Sequence, residues 1–171
     1  MEAIIRSEKP GDERVIHELN VGAFPTDQEA LLVDRLREIG RLSISLVAEV
    51  ADTIVGHIAF SPVTIKDTNT ELIGAGLAPV AVRPDWQGRG VGSQLIRTGL
   101  SACETAGNGF IVVLGEPDYY RRFGFKKASF WGVKNVYGVD EPFMLLELRP
   151  GSIRPGLARY GPEFANLSNE T

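Results

Sequence analysis

Gly88, Gly90 and Gly92 alternate along a turn between a short apolar run, Val80-Ala81-Val82, and a segment with helical spacing. A helix start leaves its first backbone N–H groups without intrahelical partners, and these attract anions. Glycines let a phosphate come close, because no Cβ stands in its way. Gln87-Gly88-Arg89-Gly90-Val91-Gly92-Ser93 thus reads as a diphosphate-binding turn, the alternative being a glycine-rich loop that only reverses the chain. A P-loop would need Lys-Ser/Thr after its last glycine, which Gly92-Ser93-Gln94 does not provide. A dinucleotide fingerprint fits poorly too. It wants an acidic residue at the end of a second strand, whereas Glu104 falls inside the predicted helix. The pattern that fits is Gln/Arg-x-x-Gly-x-Gly/Ala, met by Gln87, Gly90 and Gly92.

A second stretch lies further on, Tyr119-Tyr120-Arg121-Arg122-Phe123-Gly124-Phe125, just after the apolar run Phe110–Leu114. Strand, Pro-turn, Gln-Gly-Arg-Gly-x-Gly and amphipathic helix in that order, followed by Tyr-x-x-hydrophobic-Gly-Phe, resemble the GNAT superfamily of N-acetyltransferases. The resemblance spans residues 3–149. Gly115-Glu116-Pro117-Asp118-Tyr119-Tyr120 departs from that family's longer Asn-containing connection, and looks like a subgroup of small bacterial members.

The resemblance implies an acetyl-CoA-dependent transfer to an amine, either a small primary amine or a protein amine. A non-catalytic acyl-CoA-binding module is the alternative. It implies that N–H groups of Gln87, Gly88, Arg89, Gly90, Val91, Gly92 and Ser93 hold the diphosphate. The backbone of Val80, Ala81 and Val82 would pair with the pantetheine arm, and Pro117, Tyr119 and Tyr120 would wall the cofactor. The Val80 N–H would polarise the thioester carbonyl, and Tyr120 would protonate the leaving thiolate, a phenol being close in acidity to a thiol. Gln87 is expected to brace the turn, and Trp86 to anchor packing.

The base that deprotonates the amine is left open among Glu29, Glu116, His57 and water. Glu29 falls in the first turn of a predicted helix, where the helix dipole favours a carboxylate. His57 falls on a strand face, where a hydrogen-bonded core histidine is the plainer reading. Cys103 and His57 do not suggest a dyad, and two histidines with one cysteine make a zinc site an unsuitable reading, so no metal is expected.

These groups must be positioned by an α/β (α+β) fold, the GNAT-type mixed, mostly antiparallel sheet of about seven strands, flanked by about four helices. The sheet is expected to splay between strands 4 and 5. Strands are expected at Ala3–Ser7, Leu46–Val50, Ile54–Phe60, Glu71–Val82, Phe110–Leu114, Phe130–Tyr137 and Phe143–Leu148. Pro79 lacks an N–H, so pairing on one side of its strand should fail. Two helices follow the first strand, one from Gly90 or Val91 to about Ala106 follows the glycine turn, and a short one covers Tyr119–Phe123. Residues 1–150 form the predicted domain. Residues 151–171, richer in Gly, Pro, Arg and Asn, form an extension that is partly packed and then frayed from Ser168.

The chain has 171 residues, 43% of them hydrophobic and 23% charged, as for one ordinary globular domain. No apolar run approaches a membrane span, and the first residues carry Glu2, Arg6 and Glu8 rather than a signal-like stretch. The lone cysteine suits a reducing compartment, so a cytoplasmic protein without a membrane partner is expected, as a monomer or homodimer. A net charge of −4 speaks against nucleic acid as a partner. Residues 1–75 hold 7 basic and 13 acidic side chains, residues 76–149 hold 9 basic and 7 acidic. The acidic excess, on the expected acceptor side, suggests a cationic acceptor; the cationic half carries the turn.

Overall fold

The computed structural model describes residues 1–165. Among them a single nine-stranded sheet is covered on one face by a long helix and on the other by two shorter ones. In chain order the elements are β1 (Ile4–Ser7), α1 (Glu13–Ala23), α2 (Gln28–Glu38), β2 (Ile44–Val50), β3 (Thr53–Lys66), β4 (Glu71–Val82) and α3 (Val91–Thr105). There follow β5 (Phe110–Leu114), α4 (Pro117–Arg121), β6 (Lys126–Lys127), β7 (Val133–Asn135), β8 (Phe143–Glu147) and β9 (Gly156–Tyr160). The sheet runs β1-β2-β3-β4-β5-β8-β6, with β9 pairing β3 and β7. All pairs are antiparallel except β4 with β5 and β7 with β9. The β4–α3–β5 unit is the crossover that a parallel pair requires.

Two local irregularities open the sheet where function is expected. Ile58 pairs with Val80 and Phe60 with Leu77, so Ala78 and Pro79 together oppose Ala59 in a bulge. A residue with no N–H to give is tolerated there. On the other side, β4 pairs with β5 only through Ala75–Leu77 against Ile111–Val113. Beyond Leu77 the two strands part.

The packing follows the sequence pattern. Val91, Leu95, Ile96 and Cys103 of α3 bury their side chains against Val55, Ile58, Phe60 and Ile111. Ile16 and Leu19 of α1 and Val33 of α2 cover the opposite face with Val47, Ala59 and Ala81. A second bulge at Ala48/Glu49 puts Val55 on the α3 face with Ile58, and Ile54 on the other with Ala59, so this end of β3 does not alternate strictly.

Three expectations are revised. The strand expected from Phe130 is confined to Val133–Asn135. Ala128–Trp131 form a 3-10 turn, and Gly132, with φ of 73°, ends it. The strand count exceeds seven because β6 and β9 are additional. β9 lies in the segment expected as an extension, yet it takes over the β3 edge that β2 leaves after Phe60: Val63–Lys66 pair with Tyr160–Leu157. Its alternation is present in Ala158 and Tyr160, which are buried, and Leu157 and Arg159, which are exposed, but the run is short and lies between Pro155 and Pro162. The fraying expected from Ser168 lies outside the described residues.

Candidate active site

The parting strands leave backbone groups of β4 without a neighbour. Arg83 N–H bonds to Val55 O of β3 at 2.8 Å. Strand alternation therefore turns the N–H and C=O groups of Val82 and Val80 to the other side, toward the split. Gln87 Nε2–H donates to Val82 O at 3.1 Å, and so braces the turn as expected. Val80 N–H remains directed at the split. Ala81, the third residue of this run, is buried opposite His57, and the same alternation turns its N–H and C=O to β3, so the contact to the cofactor arm expected of it is not available.

Just beyond, a single 3-10 turn over Pro84–Trp86 leads into the glycines. Gly88 has φ of 74° and Gly90 φ of 83°, values that an L side chain adopts at a cost of about 1–2 kcal/mol. Gly90 occupies the N-cap of α3 in this left-handed conformation, and no side chain caps the helix. Gln94 N–H is the first to find an intrahelical acceptor, Gly90 O at 3.0 Å. The N–H groups of residues 88–93 find none among the described residues. Val82, Gln87, Gly88, Gly90, Gly92, Ser93, Tyr119 and Arg122 line a cavity of about 310 Å³ over these donors. Unpaired donors at a helix start, with no side chain in front of them, form a cradle suited to an anion.

Arg122 adds a cation that the sequence reading did not single out. Its guanidinium lies 3.4 Å from Ser93 Oγ and stacks 5.2 Å from the Tyr119 ring. The signal was available, since the basic pair Arg121-Arg122 sits in the motif already quoted. Arg121 instead pairs with Asp118 at 2.6 Å. Arg89 lies over the Trp86 ring, 4.6 Å from its centroid, and does not line the cradle. Val91 contributes backbone only, its side chain being buried. Pro117 is the first residue of α4, where a missing N–H costs nothing; its side chain lines neither this cavity nor the next.

Helix α4 places Tyr119 at the cradle cavity and Tyr120 at a second one. Tyr119 reaches the cradle: a Cβ on Gly92 would stand 3.3 Å from its hydroxyl oxygen. Tyr120 is 7% exposed and packs edge-on against Tyr119 and Phe125 at 5.2 and 5.6 Å. Gly115 permits this, because a Cβ there would fall 2.5 Å from the Tyr120 ring. Burial pushes the Tyr120 phenol up to about 12, with Tyr119 adding to the effect. Its hydroxyl makes no hydrogen bond to a described residue and faces a second cavity, of about 410 Å³.

That cavity occupies the split itself. Leu77–Val80 of β4 and Val113–Leu114 of β5 form its sides; Phe24, Pro25 and Glu29, Tyr137, and Tyr160 with Phe164 close it. Tyr160, from β9, stands in the fork where the strands separate. Its hydroxyl lies 3.3 Å from Leu77 O and 3.2 Å from Val112 O, one carbonyl from each diverging strand. The Tyr160 N–H in turn donates to Tyr137 Oη at 2.9 Å. The sequence marks Tyr160 only as a residue that could pack against the body and Tyr137 only as a strand end, not as residues of the site.

The three candidate bases separate cleanly. Glu29 lines the cavity, and its Oε2 is buried without a hydrogen-bond partner among the described residues. Glu116 is exposed and lines neither cavity. His57 is fully buried in the sheet. Ser45 Oγ donates to Glu8 at 3.0 Å, so the 2.8 Å contact to His57 is a donation from Nε2–H, while Nδ1 accepts from Asn20 at 3.4 Å. Burial pushes this imidazole down to about 4. It is a core histidine. Cys103 is likewise buried, its thiol pushed up to about 12. Among the described residues no group of three or more His, Cys, Asp or Glu is placed to hold a metal ion, and no helix is long and apolar enough to cross a membrane.

Against known proteins, residues 5–128 match the model of the acetyltransferase (GNAT) domain. The chain belongs to the GNAT family. The N-acetyltransferase YhbS of Escherichia coli K12 is 34% identical to this GNAT chain over 165 residues, which covers 94% of this chain and 98% of YhbS. The crystal structure of E. coli YhbS in complex with CoA superposes with a TM-score of 0.88, covering 96% of this chain and 93% of that one. A GNAT family acetyltransferase from Brucella melitensis in complex with acetyl-CoA is 38% identical, with a TM-score of 0.79 and coverage of 95% and 97%. The parallel β4–β5 pair and the mostly antiparallel sheet are therefore those of a GNAT acyltransferase.

Proposed function

We propose that this protein transfers the acetyl group of acetyl-CoA to the nitrogen of a primary amine, and that the split between β4 and β5 is where the transfer occurs. The observation that carries the reading is a convergence. The anion cradle lies at one cavity, and Val80, the Tyr120 phenol and the unpartnered Glu29 carboxylate lie at a second; Val82 and Val80 on β4, and Tyr119 and Tyr120 on α4, set the two side by side along the path the cofactor arm would take. The likeness to proteins solved with CoA and acetyl-CoA supports that path as the cofactor's.

In this reading the N–H groups of residues 88–93, with Arg122, hold the diphosphate. The Val80 and Val82 backbone guides the arm into the split. Acyl transfer to an amine needs a neutral nitrogen, support for the charge that develops on the carbonyl oxygen, and a proton for the leaving sulfur. Glu29 takes the ammonium proton, Val80 N–H donates to the carbonyl oxygen, and Tyr120 supplies the proton to sulfur. A phenol raised to about 12 is fully protonated near neutrality, as that last role demands.

The test is release of free thiol from acetyl-CoA in the presence of a mixed panel of amines, with the acetamide identified by mass. Glu29→Gln keeps the shape of the side chain but cannot accept a proton. It should lower kcat/KM for the amine by about 10²–10⁴, the range for a positioned base, without changing acetyl-CoA affinity. Acetyl-CoA binding without thiol release for any amine would leave a binding module in place of an enzyme.

A further inference from the structure

The cavity in the split has walls that say what kind of acceptor fits. We infer that the acceptor is a small monoamine whose body is an aromatic ring and which carries no carboxylate or phosphate. This rests on the proposed transfer reaction and specifies its second substrate.

Phe24, Tyr137, Tyr160 and Phe164 present rings to the cavity. Tyr160 and Phe164 stack with centroids 4.6 Å apart at 40°, and Tyr137 continues that wall 6.2 Å from Tyr160 at 58°. A continuous aromatic wall of this kind favours an apolar, flat body, by burial and by edge or offset ring contacts.

The polar groups argue as strongly. Of the three phenols, Tyr160 directs its hydroxyl at backbone carbonyls, and Tyr137 accepts the Tyr160 N–H and keeps one O–H to donate. Tyr120 and Glu29 remain, and both are needed by the reaction. No Lys or Arg stands among the described lining residues. An acceptor bearing a carboxylate or phosphate would bury that charge without a counterion, at a cost of several kcal/mol. The Glu29 oxygen, buried and unpartnered, matches one ammonium and no more. A polyamine's second cation would find no second carboxylate, and an amino sugar's hydroxyls or a peptide's backbone would find few hydrogen-bond partners, among the described lining residues. The acidic excess of residues 1–75 does not alter this. Glu8, Asp12 and Glu49 are held by Arg37 and Arg6 away from the cavity, and Glu29 is the one acidic residue of that half among the described lining residues.

The volume of about 410 Å³ lies near the lower end for small-molecule sites, about 300–1,000 Å³. It suits one ring system beside the thioester.

The experiment compares 2-phenylethylamine, phenylalanine, spermidine and a lysine-containing peptide as acceptors at saturating acetyl-CoA. Phenylalanine is the decisive comparison, since it adds only a carboxylate. 2-Phenylethylamine should exceed it, and spermidine, by at least about 100-fold in kcat/KM, the scale of one uncompensated buried charge or one lost ring burial. Phe24→Ala should cut the 2-phenylethylamine value by about 10-fold or more with acetyl-CoA affinity unchanged. A parallel calorimetric titration of the CoA-loaded protein with the same four compounds decides the matter if no turnover occurs. Preference for spermidine, phenylalanine or the peptide overturns the inference while the transfer reaction stands. Turnover of none, with 2-phenylethylamine still bound best, removes the reaction but keeps the pocket's selectivity. No binding of 2-phenylethylamine in either assay overturns the inference.

Discussion

Replacing Tyr120 with phenylalanine removes one oxygen and little else. The ring would keep its edge contacts to Tyr119 and Phe125 and its seat against Gly115. Because the hydroxyl makes no hydrogen bond to a described residue, its loss orphans no partner, and the fold should change in stability by less than about 1 kcal/mol. The chemical effect is of another size. Loss of a positioned acid costs about 10²–10⁴ in turnover, or about 3–5 kcal/mol of barrier. The pH profile adds a sharper criterion. An ordinary phenol ionises near 10, which would bring an alkaline fall in rate within the reach of a simple assay. Burial raises Tyr120 to about 12, so its acid form persists about a hundredfold further up the scale. The native rate should hold level from about pH 9 to 10.5 under conditions where the amine is already neutral. Stopped measurements of thiol release over that range, for both proteins, together with calorimetric acetyl-CoA affinity, make the assay. Turnover of Tyr120→Phe within about threefold of native would refute the acid role. A large loss of acetyl-CoA affinity with intact single-turnover chemistry would reduce Tyr120 to a wall of the cofactor site.

Two further outcomes test the cradle and the core. Gly90→Glu places a carboxylate at a left-handed position with open space beside it, so the chain should fold with a loss of about 1–2 kcal/mol while thermal stabilisation by acetyl-CoA disappears; equal stabilisation of both proteins would move the anion elsewhere. His57 should couple stability to pH: its folded value of about 4 lies below the unfolded value near 6.5, so the unfolded chain takes the proton first as pH falls. Its contribution is complete above about pH 6.5 and is lost on descending through 4, amounting to about 2 kcal/mol between pH 7 and 5. Urea unfolding at those two pH values, with the His57 ring followed by NMR, checks it; a ring that titrates near 6.5 in the folded protein contradicts the buried assignment.

The parts of the site that were readable in the sequence are local. Gln87 to Ser93 form one continuous turn, and their donors, their positive φ values and the brace from Gln87 to Val82 all arise within a few residues of one another. Tyr119 and Tyr120 were readable for the same reason, as neighbours on one short helix after a buried strand. Pro79 announced a failure of pairing, and the bulge opposite Ala59 is that failure. What could not be read depends on chain segments meeting from afar. Tyr160 reaches Leu77, 83 residues earlier, by way of a strand bounded by prolines. Glu29, Glu116 and His57 are equally plausible as isolated residues. Only the path of α2 over the sheet brings the first of them into the split, while the second stays outside and the third is sealed beneath α1. The local charge count misled for a related reason: most acidic side chains of residues 1–75 lie away from the cavity, several of them paired with arginine, and so say nothing about the acceptor.

The position of Tyr160 in the fork divides the protein's responsibilities along the chain. The cradle and the thioester end of the split are complete by residue 122, whereas the floor of the split and much of its aromatic wall come from residues 137–164. A chain ending at residue 150 would retain every donor assigned to the diphosphate and lose the ring that plugs the fork. With the proposed assignment, donor use and acceptor choice are separable as heritable traits. Changes confined to the last strand and its flanks would retune the acceptor without disturbing the handling of the acyl donor, so chains of this architecture have a route to new amines that leaves the rest of the machinery untouched.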